Sequence, residues 1–244
     1  MWFFIIRLRI LHNISYVVIM QTYLKQKRGI GMKKAVIFDM DGLMIDSERV
    51  TFEEYCLKLK QLNYDFNETI YRRCLGKNKQ GVYQVFIDHY GEEFPIDDIW
   101  DEVHVSLDNR LQQEVPLKKG IIELLTFLKE NGYKTIVATS SSRNRADMIL
   151  KTANLHHYFD DTICGDEVTC GKPDPEIFLT ACKKLGVEPN EALVLEDSEA
   201  GITAAHAGNI DVICVPDMKY PEEEFALKTI KMADSLLDVI HHLK

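Results

Sequence analysis

The sequence predicts an α/β fold: a doubly wound parallel sheet with a small all-α unit inserted after its first strand. Three observations predict it. Short apolar runs alternate with stretches of helical periodicity from Pro116 onward. Several of those runs end in polar residues that do not suit a core. Between the first run and the second, residues 47–114 hold helical patterns and no strand pattern. A crossover helix needs only about a dozen residues, so this stretch is more than a connection.

The first run, Ala35 to Phe38, is too short for a helix and reads as a buried strand. It leads into Asp39-Met40-Asp41-Gly42. Side chains two apart at a strand end point the same way, so Asp39 and Asp41 face one pocket above the sheet. Two carboxylates that close repel, and one stays protonated unless a cation sits between them. Asp and Gly are also common in ordinary turns.

The next element is a helix that Ser47 can cap, with Glu48 in its first turn. Phe52, Tyr55, Cys56, Leu59 and Leu62 recur at helical spacing, and Asn63 ends it. Helical patterns follow from Glu68 to Leu75, Gln80 to Tyr90 and Ile96 to Gln113, separated by Gly76-Lys77-Asn78-Lys79 and by Gly91 with Pro95. We therefore expect a helical unit over residues 47–114, and a core formed by residues 32–46 and 115–244. Lys77 and Lys79 lie on a turn of the insert, where they read either as a solvated face or as groups reaching an anionic substrate.

From Pro116 the elements alternate. A helix from Ile121 to Lys129 is closed by Asn131-Gly132. A strand from Thr135 to Ala138 runs into Thr139-Ser140-Ser141-Ser142, and a helix follows from Arg143 to Thr152. Asp161 to Cys164 is a short strand. Gly171-Lys172-Pro173-Asp174-Pro175 is a rigid loop, with Pro175 suited to the first turn of the next helix. Ala192 to Leu195 is a strand ending in Glu196-Asp197-Ser198, followed by a helix from Ala200 to Ala207. Asp211 to Val215 is the last clear strand, and Leu236 to Leu243 an amphipathic helix.

Composition excludes several classes. The 244 residues are 46% hydrophobic, enough for a sizeable core. A net charge of -9 argues against a nucleic-acid partner. The six cysteines include no C-x-x-C pair, as expected of free thiols in a reducing cytoplasm. There is no G-x-G-x-x-G and no G-x-x-x-x-G-K-[ST], so neither a dinucleotide site nor a P-loop is supported. A monomer is the default expectation.

Residues 1–31 differ from the rest. Trp2 to Met20 is largely apolar, but Arg7 and Arg9 interrupt it. Each Arg costs about 2.5–3.5 kcal/mol at mid-bilayer, which argues against a spanning helix. Met32-Lys33-Lys34 resembles a natural bacterial start. We expect residues 1–31 to be a translated leader or an over-extended start outside the fold. A membrane-surface helix with Arg on one face is the alternative.

In a doubly wound sheet, ligands bind beyond the carboxyl ends of the strands. The polar residues collect there: Asp39 and Asp41, Thr139 and Ser140, Glu196 and Asp197, with Lys172 on a loop of the same kind. Acidic groups outnumber the lysine, so a divalent cation is nearly required. Oxygen ligands favour Mg²⁺, which also grips phosphate. Lysine and hydroxyl groups suit phosphate oxygens, and a carboxylate can accept a phosphoryl group. The chemistry that fits is Mg²⁺-assisted phosphoryl transfer.

The chain resembles the haloacid dehalogenase superfamily of phosphohydrolases, in its β-phosphoglucomutase-like branch. Asp39-Met40-Asp41-Gly42, Ala138-Thr139-Ser140-Ser141, Gly171-Lys172-Pro173-Asp174-Pro175 and Leu195-Glu196-Asp197-Ser198-Glu199-Ala200-Gly201 carry the resemblance. It implies that the core has that superfamily's Rossmann-like fold and that the helical insert is a mobile cap. It implies Asp39 as nucleophile and metal ligand, and Asp41 as general acid/base with a metal-binding carbonyl. Ser140 would donate to the phosphoryl group, with Thr139 as alternative and Ser141 beside them. Lys172 would bridge nucleophile and phosphate. Asp197 and Glu196 would complete the Mg²⁺ site. Asp46 and Ser47 would begin the hinge, and Ser47, Lys77 and Lys79 would meet substrate.

The superfamily's dehalogenases lack a second aspartate, so Asp41 favours a phosphate ester over a carbon–halogen bond. A histidine of the mutases is Thr51 here, and an arginine of their cap loop is Lys79. Arginine grips phosphate as a fork and lysine as a point charge. The resemblance thus implies a sugar-phosphate phosphatase working through an aspartyl phosphate. A sugar phosphomutase is the alternative.

Overall fold

The computed structural model of the chain describes residues 33–244; the expectations for residues 1–31 lie outside them. Six parallel strands form one sheet: β1 (Ala35–Phe38), β2 (Lys134–Thr139), β3 (Asp161–Cys164), β4 (Ala192–Glu196), β5 (Asp211–Cys214) and β6 (Lys231–Met232). Their order is β3-β2-β1-β4-β5-β6. The sequence shows the first five; two-residue β6 carries too little pattern to be seen.

β1 lies between β2 and β4, with Phe38 level with Val137 and Leu195. Its side chains alternate between the faces, as a strand requires. Val36 and Phe38 pack with helices α5 (Ile121–Glu130), α6 (Arg143–Thr152) and α10 (Leu236–Leu243), through Leu124, Leu128, Ile149 and Val239. Ala35 and Ile37 pack on the other face against α7 (Glu176–Leu185) and α8 (Glu199–Ala207), through Phe178, Ala181 and Ile202. A short helix, α9 (Glu223–Ala226), precedes β6. Because both faces of β1 are covered, only its carboxyl end is left to meet a ligand.

Four helices lie between β1 and β2: α1 (Ser47–Gln61), α2 (Glu68–Arg72), α3 (Lys79–Tyr90) and α4 (Ile96–Gln113). They share an aromatic cluster in which Phe66 and Phe94 each stack on Phe86, at 5.7 and 5.5 Å. Asn67 and Asn78 cap α2 and α3 by accepting the N–H groups of Ile70 and Gly81. The helix expected from Glu68 to Leu75 is shorter, ending at Arg72. Ser47 does not cap α1 but begins it; Asp46 stands at the cap position with no capping side-chain bond. The chain enters and leaves this segment side by side: Asp46 N–H donates to the Pro116 carbonyl, and Ile45 bridges Leu117.

Among the described residues no helix is long and apolar enough to cross a membrane.

Candidate active site

The carboxyl ends of β1, β2 and β4 open into a cleft of about 690 Å³. Asp39, Asp41, Thr139, Ser140, Ser141, Lys172 and Asp197 all line it. Thus strand-end residues from three separate stretches of sequence are brought together. Gly42 makes the first turn possible: its φ is +82°, and a Cβ there would lie 2.4 Å from Asp197 Oδ2.

Lys172 organises the floor. Its side chain is 5% exposed, and its ammonium donates to Asp39 Oδ1 and, at 2.7 Å, to Glu196 Oε1. The peptide bond from Lys172 to Pro173 is cis. Burial works against the Lys172 charge, but the two carboxylates overcome it and push its pKa up. Asp39 is shifted upward by burial and by the neighbouring Glu196 and Asp41 charges, with Lys172 opposing.

Glu196, expected beside Asp197 at the metal site, is held by donors of the protein itself. It is the last residue of β4 and is wholly buried. Its Oε1 accepts from Lys172, and its Oε2 accepts the N–H groups of Asp197 and Ser198 and the Ser198 hydroxyl, each at 2.9 Å. Both oxygens are engaged, so the geometry suits holding Lys172 better than ligating a metal. The space around it is tight: a Cβ on Gly201, one turn into α8, would lie 1.7 Å from Glu196 Oε1. Ser198 also caps α8 by accepting from Gly201 N–H.

Asp41 is held from three sides. Ser141 Oγ donates to its Oδ2 at 2.9 Å, and Arg145 Nη1 donates to both oxygens, at 3.0 and 2.8 Å. Burial would raise its pKa, but the Arg145 guanidinium and the hydroxyls of Ser141 and Ser47 keep the carboxyl below the usual range. Ser47, expected to meet substrate, is buried and bonded to Asp41. Thr139 is buried at the end of β2, its hydroxyl accepting Ser141 N–H at 3.1 Å; Ser140, the next residue, is exposed to the cleft.

The donor set fits a hard divalent cation. Asp197 is pushed well up by burial and by Glu196, Asp39 and Asp217, so its negative charge is under-compensated. Asp217 lines the same cleft, and its buried Oδ2 has no hydrogen-bond partner. A cation would relieve both. No three His, Cys, Asp or Glu side chains among the described residues form a ready-made cage. Magnesium sites commonly use only one or two carboxylates, with waters and phosphate supplying the rest.

A second cavity, of about 330 Å³, shares Asp41, Glu48, Trp100 and His104 with the cleft and runs between α1 and α4. Tyr55 lines it; its ring is buried and its hydroxyl has no partner. The Tyr71 hydroxyl donates to Glu48. Trp100 and His104 stack at 3.9 Å. Lys77 and Lys79 line the cleft from above and are exposed; the Lys79 ammonium stands 5.2 Å from the Tyr83 ring centre and 5.5 Å from that of Trp100.

The family model for haloacid dehalogenase-like hydrolases matches residues 36–215. The chain belongs to that family. It is therefore a phosphohydrolase, and enzymes of this family generally use a divalent metal. This hydrolase is 32% identical over 180 residues to the phosphorylated carbohydrates phosphatase of Thermotoga maritima, covering 74% of this chain and 83% of that one. It is 31% identical over 181 residues to the validoxylamine A 7'-phosphate phosphatase of Streptomyces hygroscopicus subsp. limoneus, covering 73% and 84%. Among solved structures, CbbY of Rhodobacter sphaeroides in complex with phosphate aligns with a TM-score of 0.69 at 26% identity, over 85% of this chain and 96% of that one.

Sequence reasoning missed three residues that this family member brings to the site. Asp217 lies just past β5, so the strand-end rule applied once more would have found it. Arg145 is in the first turn of α6, where the helix dipole disfavours a cation; that misfit was its signal. Tyr55 reads as one more apolar position of α1, and nothing in the sequence marks its hydroxyl as unpartnered.

Proposed function

We propose that the protein is a Mg²⁺-dependent phosphatase that hydrolyses a sugar phosphate through an aspartyl phosphate on Asp39. The observation that carries this is the Asp39–Lys172–Glu196 arrangement beside Asp41, at the mouth of a cavity with polar and aromatic walls. An Asp39 oxygen attacks phosphorus as the bond to the leaving oxygen breaks. Asp41, ionised in the free protein, takes the proton of a monoanionic phosphate ester and gives it to that oxygen. Asp41 then takes a proton from the water that attacks the phosphorylated Asp39 and passes it to the departing phosphate, restoring both carboxylates. Such proton transfer is typically worth about 10²–10⁴ in rate.

Lys172 favours the ionised form of Asp39 against the burial that pushes its pKa up, and balances phosphoryl charge; Glu196 holds Lys172. Ser140 or Thr139 donates to a phosphoryl oxygen. Asp39, Asp197 and the Asp41 carbonyl would hold Mg²⁺, which when bound neutralises the carboxylates and the phosphate oxygens. The second cavity supports a hydroxylated leaving group: Glu48 and the unpartnered Tyr55 hydroxyl offer hydrogen bonds, and Trp100 an apolar face. The six free cysteines support a reducing, cytoplasmic setting.

The test is phosphate release from a panel of sugar, polyol and nucleoside phosphates, with and without Mg²⁺, with Asp39→Asn as control. Mg²⁺-dependent release from sugar phosphates, absent in the control, supports the reading. An isomerised sugar phosphate without free phosphate would replace it with a mutase.

A further inference from the structure

Arg145 joins two parts of the molecule that are far apart in sequence. Its Nη1 donates to both Asp41 oxygens and, at 2.6 Å, to Ser141 Oγ; its Nε donates to Asp108 Oδ1 at 3.2 Å. Asp41 follows β1, whereas Asp108 lies on α4 in the helical segment. Arg145 itself is on α6, which packs against α4. A guanidinium is planar, with its donors in a fixed fork. It therefore cannot follow Asp108 without changing how it meets Asp41. Arg145 is about one-fifth exposed and Asp108 about half, so the link lies at the edge of the cleft, beside the second cavity.

We propose that Arg145 is a positioning residue: by gripping Asp41 and Asp108 together, it sets where the Asp41 carboxylate stands relative to a bound leaving group. Asp108 is the anchor, and a displacement of α4 relative to α6 would be passed to Asp41 through one side chain. This rests on the reading of Asp41 as the group that protonates the leaving oxygen. Arg145 needs no contact with substrate for this role.

The test compares two substrates of the full-length enzyme with Mg²⁺. An alkyl phosphate needs its leaving oxygen protonated, whereas p-nitrophenyl phosphate leaves as a stable anion. The readout is the ratio of kcat/KM for the alkyl over the aryl ester. Arg145→Ala should lower this ratio about 10- to 100-fold, the scale on which small misplacements act. Asp108→Ala should lower it in the same direction by less. The double variant should be little worse than Arg145→Ala alone, because the two residues act through one link. Arg145→Lys should recover only part of the ratio, since an ammonium cannot span both partners.

Equal losses on both esters in Arg145→Ala, with raised KM, would overturn the proposal in favour of direct phosphate binding. Equal losses with a lowered melting temperature would overturn it in favour of a purely structural ion pair. Asp41→Asn separates failure of the inference from failure of the underlying reading. If Asp41→Asn lowers the ratio and Arg145→Ala does not, the positioning role is wrong. If Asp41→Asn itself leaves the ratio where it was, Asp41 is not the proton donor.

Discussion

The floor of the cleft and the cavity above it are built on different principles. On the floor, charged side chains are buried and closely matched: Lys172 between Asp39 and Glu196, and Asp41 against Arg145 and Ser141. In the cavity the walls are aromatic, and Tyr55 keeps a buried hydroxyl with no partner. The floor sits at strand ends that three neighbouring ladders hold in register. The cavity sits between helices joined by turns. A fixed array suits bond-making, which tolerates little displacement. An array with an unmet hydrogen bond suits recognition, because the missing partner can come from a ligand.

The sharpest break of this contrast is Asp39→Asn. It should bring phosphate release to background while circular dichroism stays native; near-normal turnover would mean that the floor is not where the bond is broken. Next is Lys172→Ala, which leaves Asp39 and Glu196 facing each other without a counter-charge. Removing one partner of a buried ion pair costs about 3–5 kcal/mol, so denaturant unfolding should show a loss of that order as well as lost activity. A loss under about 1 kcal/mol, as for exposed pairs, would show that the floor is not the rigid part.

The cavity should respond differently. Tyr55→Phe removes a hydroxyl that has no partner in the free protein, so stability should hold or rise slightly. Its effect should appear in kcat/KM for hydroxylated substrates, by about two- to tenfold for one neutral hydrogen bond, and not for p-nitrophenyl phosphate. A drop in melting temperature without that selectivity would make Tyr55 a packing residue only. The smallest effect is expected from Lys79→Ala, whose exposed ammonium lies over Tyr83 and Trp100 in a contact screened by water. KM for monophosphates should shift only a few-fold; a much larger shift would bring Lys79 into contact with the substrate.

This contrast also explains what could be read from the sequence. Asp39, Lys172 and Asp197 were legible because each closes a short apolar run or a Gly-Pro loop, and a parallel sheet brings such ends to one edge. For Glu196 the sequence gives the position but not the direction of its side chain, which turns under Lys172. Ser47 was read as a cap, yet it starts α1 and binds Asp41; it also lines the second cavity, where a substrate contact was expected of it. Arg145 and Asp108 could not be paired beforehand, since 37 positions separate them and their meeting depends on how α4 packs on α6. The cavity was least legible, because Tyr55 and Trp100 recur at the same helical spacing as ordinary core residues.

Gly201 has a consequence for anyone who would stabilise this enzyme. On helix propensity alone, alanine inside α8 would be favoured by about 1 kcal/mol, so Gly201→Ala would rank high in a thermostability screen based on local sequence. Yet the added methyl would claim the place of the Glu196 carboxylate, which has nowhere else to go in a fully buried position. The missing side chain is a reserved space inside the protein. The helix gives up some of its own strength so that an acid can be stored beneath the lysine, and robustness at this position competes directly with turnover.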